Sequence, residues 1–174
     1  KEHVANESID LVYLDPPFNS NANYNVLFKE HDGAEAASQI KAFEDTWRWD
    51  ENAAQAYQDT VEAGEKLSET LQAFRKLVGE SDMLAYLAMM APRLRELKRV
   101  LKPSWSIYLH CDPTASHYLK LLMDAVFGAK SFRNEIVWQR TNAKGLAFTR
   151  FAKNHDIILV YSRSERSVWN SQYA

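Results

Sequence analysis

A single cysteine, Cys111, stands in 174 residues, which excludes an internal disulfide and a cysteine-rich zinc site and fits a reducing compartment. Glycine is also scarce. Gly33, Gly64, Gly79, Gly128 and Gly145 are isolated positions, and no glycine-rich turn brings the backbone close to a cofactor. No run of about 18 apolar residues occurs, and no basic-then-apolar leader opens the chain, so neither a membrane span nor a secretory signal is indicated. The expectation is a cytoplasmic protein. Without an initiator methionine, and ending just after a polar stretch, the chain reads as a piece of something longer.

What is present has an ordinary globular composition, 46% hydrophobic and 25% charged, enough for one domain with one core. The formal net charge of −2 conceals two halves. Residues 29–82 hold six Lys/Arg against thirteen Asp/Glu, whereas residues 130–166 hold eight against three. A phosphate-facing surface is therefore expected from the C-terminal third, where Arg140, Lys144, Arg150 and Lys153 fall close together. The plainer reading is a set of scattered, solvent-facing charges, and the acidic half reads as a solvated face.

Periodicity and punctuation lay out an α/β order. Residues 9–14 form an apolar, β-prone run closed by two prolines, which suits a buried strand of a parallel sheet. Residues 19–50 show no sustained period and read as a long loop with short helical pieces. One or two helices are expected over 51–78. Ser81 is placed to cap a longer helix whose apolar positions recur every three or four residues to Leu101. Pro92 predicts a kink or break within it. Lys102-Pro103 predicts its end, with a second buried strand at 106–111. Asp112 followed by Pro113 reads as an N-cap and first-turn proline, and Gly128 as the far cap of a helix over 113–127. Strands at 134–139 and 156–161 follow, separated by a loop longer than most connections and so expected to be functional or mobile. The fold class is α/β, three layers with at least part of the sheet parallel.

Asp15-Pro16-Pro17-Phe18 follows the first strand directly, where such sheets bind their ligands. Consecutive prolines have fixed φ and no N–H, leaving a stiff edge of carbonyl acceptors. A carboxylate and a carbonyl side by side suit an exocyclic amine with its two donors, and an adjoining ring suits stacking on a flat base. On those four residues alone, a simple turn is an equally good reading.

The context around them is more specific. The segment IDLVYLDPPFN, together with LRELKRVLKP, SIYLHCDPTASHYLKLLMDAVFG, FRNEIVWQR and NHDIILVYS, resembles the motif series of the β-class DNA amino-methyltransferases over nearly the whole chain. Aspartate at the first position of the tetrapeptide resembles the adenine-N6 branch; the cytosine-N4 branch is the alternative, and a catalytically silent DNA-binding or structural piece is another. The resemblance implies an incomplete Rossmann-like methyltransferase fold with a mixed, mostly parallel sheet. It implies double-stranded DNA as substrate, S-adenosylmethionine as cofactor and a restriction subunit as a potential partner. Residues 1–174 would be the catalytic part, with target-recognition and glycine-rich cofactor regions beyond residue 174, so the cofactor pocket here is incomplete. By the same resemblance, Asp15 and the Pro16 carbonyl accept from the amine of a flipped adenine, Pro17 completes the motif and Phe18 stacks on the base. Leu14, Asp15 and Pro17 border the cofactor, and His155 and Tyr161 help line the target pocket.

Several residues carry weaker signals. His155 reads equally well as a capping or satisfied core histidine, and Tyr161 as a core aromatic. Where the family has a glycine after Lys-Pro-Ser, this chain has Trp105, which would be strained in a turn needing positive φ. His110, Cys111 and Asp112 are metal-ligand types, but successive strand residues face opposite ways, which argues against a metal site. Cys111 reads as a small buried residue and not a nucleophile. Trp47 and Trp49 resemble a stacking platform around Arg48, although their acidic surroundings favour anchoring of the loop to the core.

Overall fold

The computed structural model describes residues 3–17, 47–140 and 154–163, with the backbone of 23–24 and 43–44. Strand β1 (Ile9–Leu14) is followed by two short strands, β2 (Asn23–Tyr24) and β3 (Phe43–Glu44), which pair antiparallel with each other. That ladder lies in the segment expected to be a loop with helical pieces. Helices α1 (Glu51–Glu62), α2 (Glu65–Val78) and α3 (Asp82–Val100) come next, then strand β4 (Leu101–Cys111), helix α4 (Pro113–Phe127) and strands β5 (Phe132–Gln139) and β6 (His155–Ser162).

The helix ends follow local chemistry. Asp50 accepts from the Ala53 N–H at 2.8 Å, Ser81 from Leu84 at 3.3 Å, and Asp112 from Ala115 at 2.9 Å, each satisfying a first-turn donor that the helix itself leaves unpaired. Gly128 closes α4 with φ 89°, a conformation that a side chain would strain. Helix α3 runs through Pro92 as one 19-residue element, so the expected break does not occur. A buried flank of Leu84, Leu87, Ala91 and Leu94 holds the helix together by packing.

The four larger strands lie in the order β1-β4-β6-β5. Strand β4 pairs parallel with β1, whereas β6 pairs antiparallel with both β4 and β5. The sheet is mixed, as expected, but antiparallel on balance among the described strands, because β5 and β6 are successive strands paired directly with no crossover between them. Strand β4 begins at Leu101, straight after α3, five residues earlier than the sequence suggests. Its extra residues form an irregularity opposite Ile9–Leu11, and Trp105 sits there, 4% exposed with its ring 5.1 Å from that of Phe127. Glu7 and Glu65 are the described non-glycine residues with positive φ. Trp105 is therefore an extended-strand core residue, which removes the strain inferred for it.

The two faces of the sheet differ. Ile107, Leu109 and Cys111 of β4, with Leu159 and Tyr161 of β6, are buried in one cluster with the apolar residues of α2, α3 and α4. Trp47 and Trp49 join it, their rings 5.8 Å from Tyr86 and 5.9 Å from Tyr57, so these tryptophans anchor the chain to the helices. On the opposite face Tyr13 stacks on Tyr108 at 6.5 Å, and Leu11, Tyr13 and Trp138 remain more than half exposed. Two of the three expected layers lie among the described residues. Among the described strands β1 is an edge, and its residues are either partly buried or exposed instead of being buried as its apolar sequence suggests. No described helix is long and apolar enough to cross a membrane.

Candidate active site

The parallel register sets Leu14 of β1 beside Leu109 of β4, so Asp15, where β1 leaves the sheet, comes beside His110, the next residue of β4. The antiparallel register places His110 beside Ile158 of β6, two residues from Asp156. Three strand ends thus bring together side chains that are far apart in the sequence. The Asp15 carboxylate, 60% exposed, has one oxygen 3.2 Å from Nδ1 of His110. Nε2 of His110 lies 3.3 Å from Oδ2 of Asp156. Asp156 is almost fully buried and receives the Arg140 guanidinium at 2.5 Å on each of its oxygens. A buried carboxylate is costly unless paired, and the fork geometry of arginine matches its two oxygens. The array Asp15–His110–Asp156–Arg140 is continuous.

Around it, Pro16 and Pro17 are half-buried at the rim. Tyr13, on the same open face, has its phenol pushed above the ordinary value by partial burial and then by the Asp15 charge. On the other side of β4, burial pushes the Cys111 thiol up to about 12, helped by the charge of Asp112. His110 and Cys111 do face opposite ways, and Cys111 belongs to the core.

The residues singled out in the sequence have separate fates. Asp15, Pro16 and Pro17 stand together at the end of β1. Leu14 packs its side chain against the core, leaving only its backbone for a bound molecule. Phe18, Lys144, Arg150 and Lys153 lie outside the described residues. Arg140 is committed to Asp156, and its backbone N–H also donates to the Asn154 carbonyl at 2.9 Å, closing the base of the 141–153 connection. It is better placed as a clamp than as a phosphate contact. His155 is partly buried, but its neighbour Asp156 is the residue that meets His110, because alternate strand residues take opposite faces.

Tyr161 is corrected outright. Fully buried on the helix side, it donates its hydroxyl to Oδ1 of Asp124 at 2.8 Å and contacts the Lys120 carbonyl at 3.1 Å. Burial and the Asp124 bond push its phenol far above the ordinary value. The ring cannot reach a base on the open face. The sequence reading weighed His110 only as a metal ligand. The signal that would have found it is its place at the end of the strand next to the one carrying Asp15.

Comparison with known proteins identifies the family. The family model described as DNA methylase, of the N6/N4 type, matches residues 9–173. The type II methyltransferase M.EcaI of Enterobacter cloacae is 34% identical over 86 residues, 49% of this chain and 19% of that protein. The StyLTI Mod subunit, a type III restriction-modification enzyme of Salmonella typhimurium, is 26% identical over 159 residues, 91% of this chain and 21% of that subunit. The EcoP15I Mod subunit of Escherichia coli is 24% identical over 177 residues, 98% of this chain and 24% of that subunit. The chain thus spans about a fifth to a quarter of the length of these relatives. With the Asp-Pro-Pro strand end, its neighbouring strands and the matched span in agreement, the chain belongs to the N6/N4 DNA methylase family.

Proposed function

We propose that this chain carries the target-base side of the active site of a DNA methyltransferase that transfers a methyl group from S-adenosylmethionine to N6 of adenine. The observation that carries the reading is the Asp15-Pro16-Pro17 edge at the open end of β1, where an exposed carboxylate adjoins half-buried prolines whose backbone offers carbonyl acceptors and no N–H. Adenine N6 has two hydrogens and a lone pair delocalised into the ring. Two acceptors on those hydrogens would hold the nitrogen as it pyramidalises with its lone pair free for the incoming methyl group; the methyl–sulfur bond would break to leave the thioether, and one N6 proton would be released to solvent. The base must leave the duplex stack for this contact, and Phe18 is assigned the stacking surface. No enzyme nucleophile is required, which agrees with a Cys111 thiol kept neutral in the core.

S-adenosylmethionine supplies the electrophilic methyl group when bound. The residues present fit one wall of its site: the Leu14 backbone, Asp15 and Pro17 at the rim. The position of β1 at the edge of the described strands and the open face bearing Leu11, Tyr13 and Trp138 support the remainder of the pocket, with its glycine-rich turn, being supplied by chain beyond residue 174, along with target recognition. Residues 1–174 are the catalytic part in this reading. Double-stranded DNA is the substrate, approached through Lys144, Arg150 and Lys153. The likeness to two Mod subunits of type III restriction-modification enzymes supports a restriction subunit as partner.

The test is chemical. DNA incubated with the complete protein and labelled S-adenosylmethionine is digested to nucleosides and separated. N6-methyldeoxyadenosine is the expected product; N4-methyldeoxycytidine would move the assignment to the cytosine branch, and no labelled nucleoside would mark a silent protein.

A further inference from the structure

We propose that His110 is a positioning residue for methyl transfer, holding the Asp15 carboxylate in its working orientation while Asp156 and Arg140 hold His110. The inference rests on the methyltransferase reading above and adds a residue to it. Asp15 ends a strand that is itself half open, and its side chain is 60% exposed. A carboxylate in that setting rotates and is solvated by water, both of which compete with its use as an aimed acceptor. A donor fixed beside one oxygen leaves the other directed outward.

His110 meets that requirement on three counts. Its own side chain is only 18% exposed, near the end of a strand that lies between β1 and β6. Nδ1 lies 3.2 Å from an Asp15 oxygen and Nε2 3.3 Å from an Asp156 oxygen, so each ring nitrogen has a carboxylate within ion-pair distance. Asp156 cannot swing away, because it is buried and its two oxygens are engaged by Arg140 at 2.5 Å. A ring nitrogen that bears a proton can donate to the carboxylate it faces. The Arg140 charge offsets one of the two carboxylates around the ring. The array also ties the catalytic strand end to the base of the 141–153 connection through Arg140 and Asn154.

A residue that merely fills space would not distinguish the two ring nitrogens, and the test uses that difference. In the complete protein, His110→Ala should lower kcat by about ten- to a hundredfold, the scale of a misplaced reacting group, while KM for DNA changes little. His110→Asn, whose amide nitrogen can replace Nδ1, should recover most of the rate. His110→Gln, whose amide reaches towards the Nε2 position, should not. A full rate in His110→Ala, or equal recovery by Gln and Asn, would overturn the proposal. A second readout needs no turnover: ring 1H–15N spectra of histidine-labelled protein at one fixed pH. Asp15→Asn should move the His110 Nδ1 resonance, and Asp156→Asn the Nε2 resonance. Unmoved resonances would overturn the contact itself. Moved resonances in a wild-type protein that methylates nothing would confirm the contact, refute the methyltransferase reading and with it the catalytic role of His110.

Discussion

Tyr161→Phe separates the core assignment of that ring from the base-stacking role inferred for it in the sequence. The substitution keeps the ring, which packs 5.3 Å from Phe132 and 6.2 Å from Phe127, and removes only the hydroxyl. That hydroxyl donates to Asp124 at 2.8 Å in a site where Tyr161 is fully buried. A hydrogen bond to a charged group contributes about 1.5–3 kcal/mol. Asp124 keeps its ion pair with Lys120 at 2.8 Å, so the loss should lie at the lower end, about 1.5 kcal/mol. For a domain of this size that lowers the melting temperature by roughly 3–6 °C. Thermal unfolding followed by circular dichroism, with methyl transfer measured well below the transition, is the assay. Activity should match wild type. An unchanged melting temperature combined with a tenfold loss of transfer would refute the core assignment and return the ring to the target pocket.

Three further outcomes are expected. Cys111 should resist a thiol reagent such as dithionitrobenzoate at pH 8 until the protein is unfolded, because burial holds its thiol at about 12; rapid reaction of the folded protein would contradict this. Its folded value lies above the unfolded value of about 8.5, so its contribution to stability is complete below that pH and declines as pH rises towards 12, which denaturant midpoints measured across that range would show. Neutralising Lys144, Arg150 and Lys153 together should lower the slope of log K against log salt for DNA by about 0.9 per lost phosphate contact, with base preference little changed; a retained slope with altered sequence preference would show the segment reading bases. Arg140 is left out of that set because of its pair with Asp156.

What the sequence made legible was local. Ser81, Asp112 and Gly128 announce helix ends because a cap is a contact within a few residues. Ile9–Leu14 and the final strand are apolar runs whose identity needs no partner. The start of β4 was missed because Lys102-Pro103 reads as a stop, yet Pro103 lies in an irregular stretch where the ladder does not require its N–H. Tyr161 was misjudged and Asp156 passed over for one reason: an apolar strand does not say which of its faces meets the helices. His110 was passed over because its value comes from Asp15 and Asp156, which only the order β1-β4-β6 brings to it. The exposure of β1 is likewise invisible in six apolar residues, since it depends on which neighbours pair with them.

The central claim is that Asp15 acts on the target amine and not on the DNA backbone, and Asp15→Ala in the complete protein tests it most directly. Tritiated-methyl transfer and gel-shift affinity are measured on the same preparation. Transfer should be abolished while DNA affinity stays nearly intact. Turnover retained within about tenfold, some 1.4 kcal/mol of barrier, would contradict it.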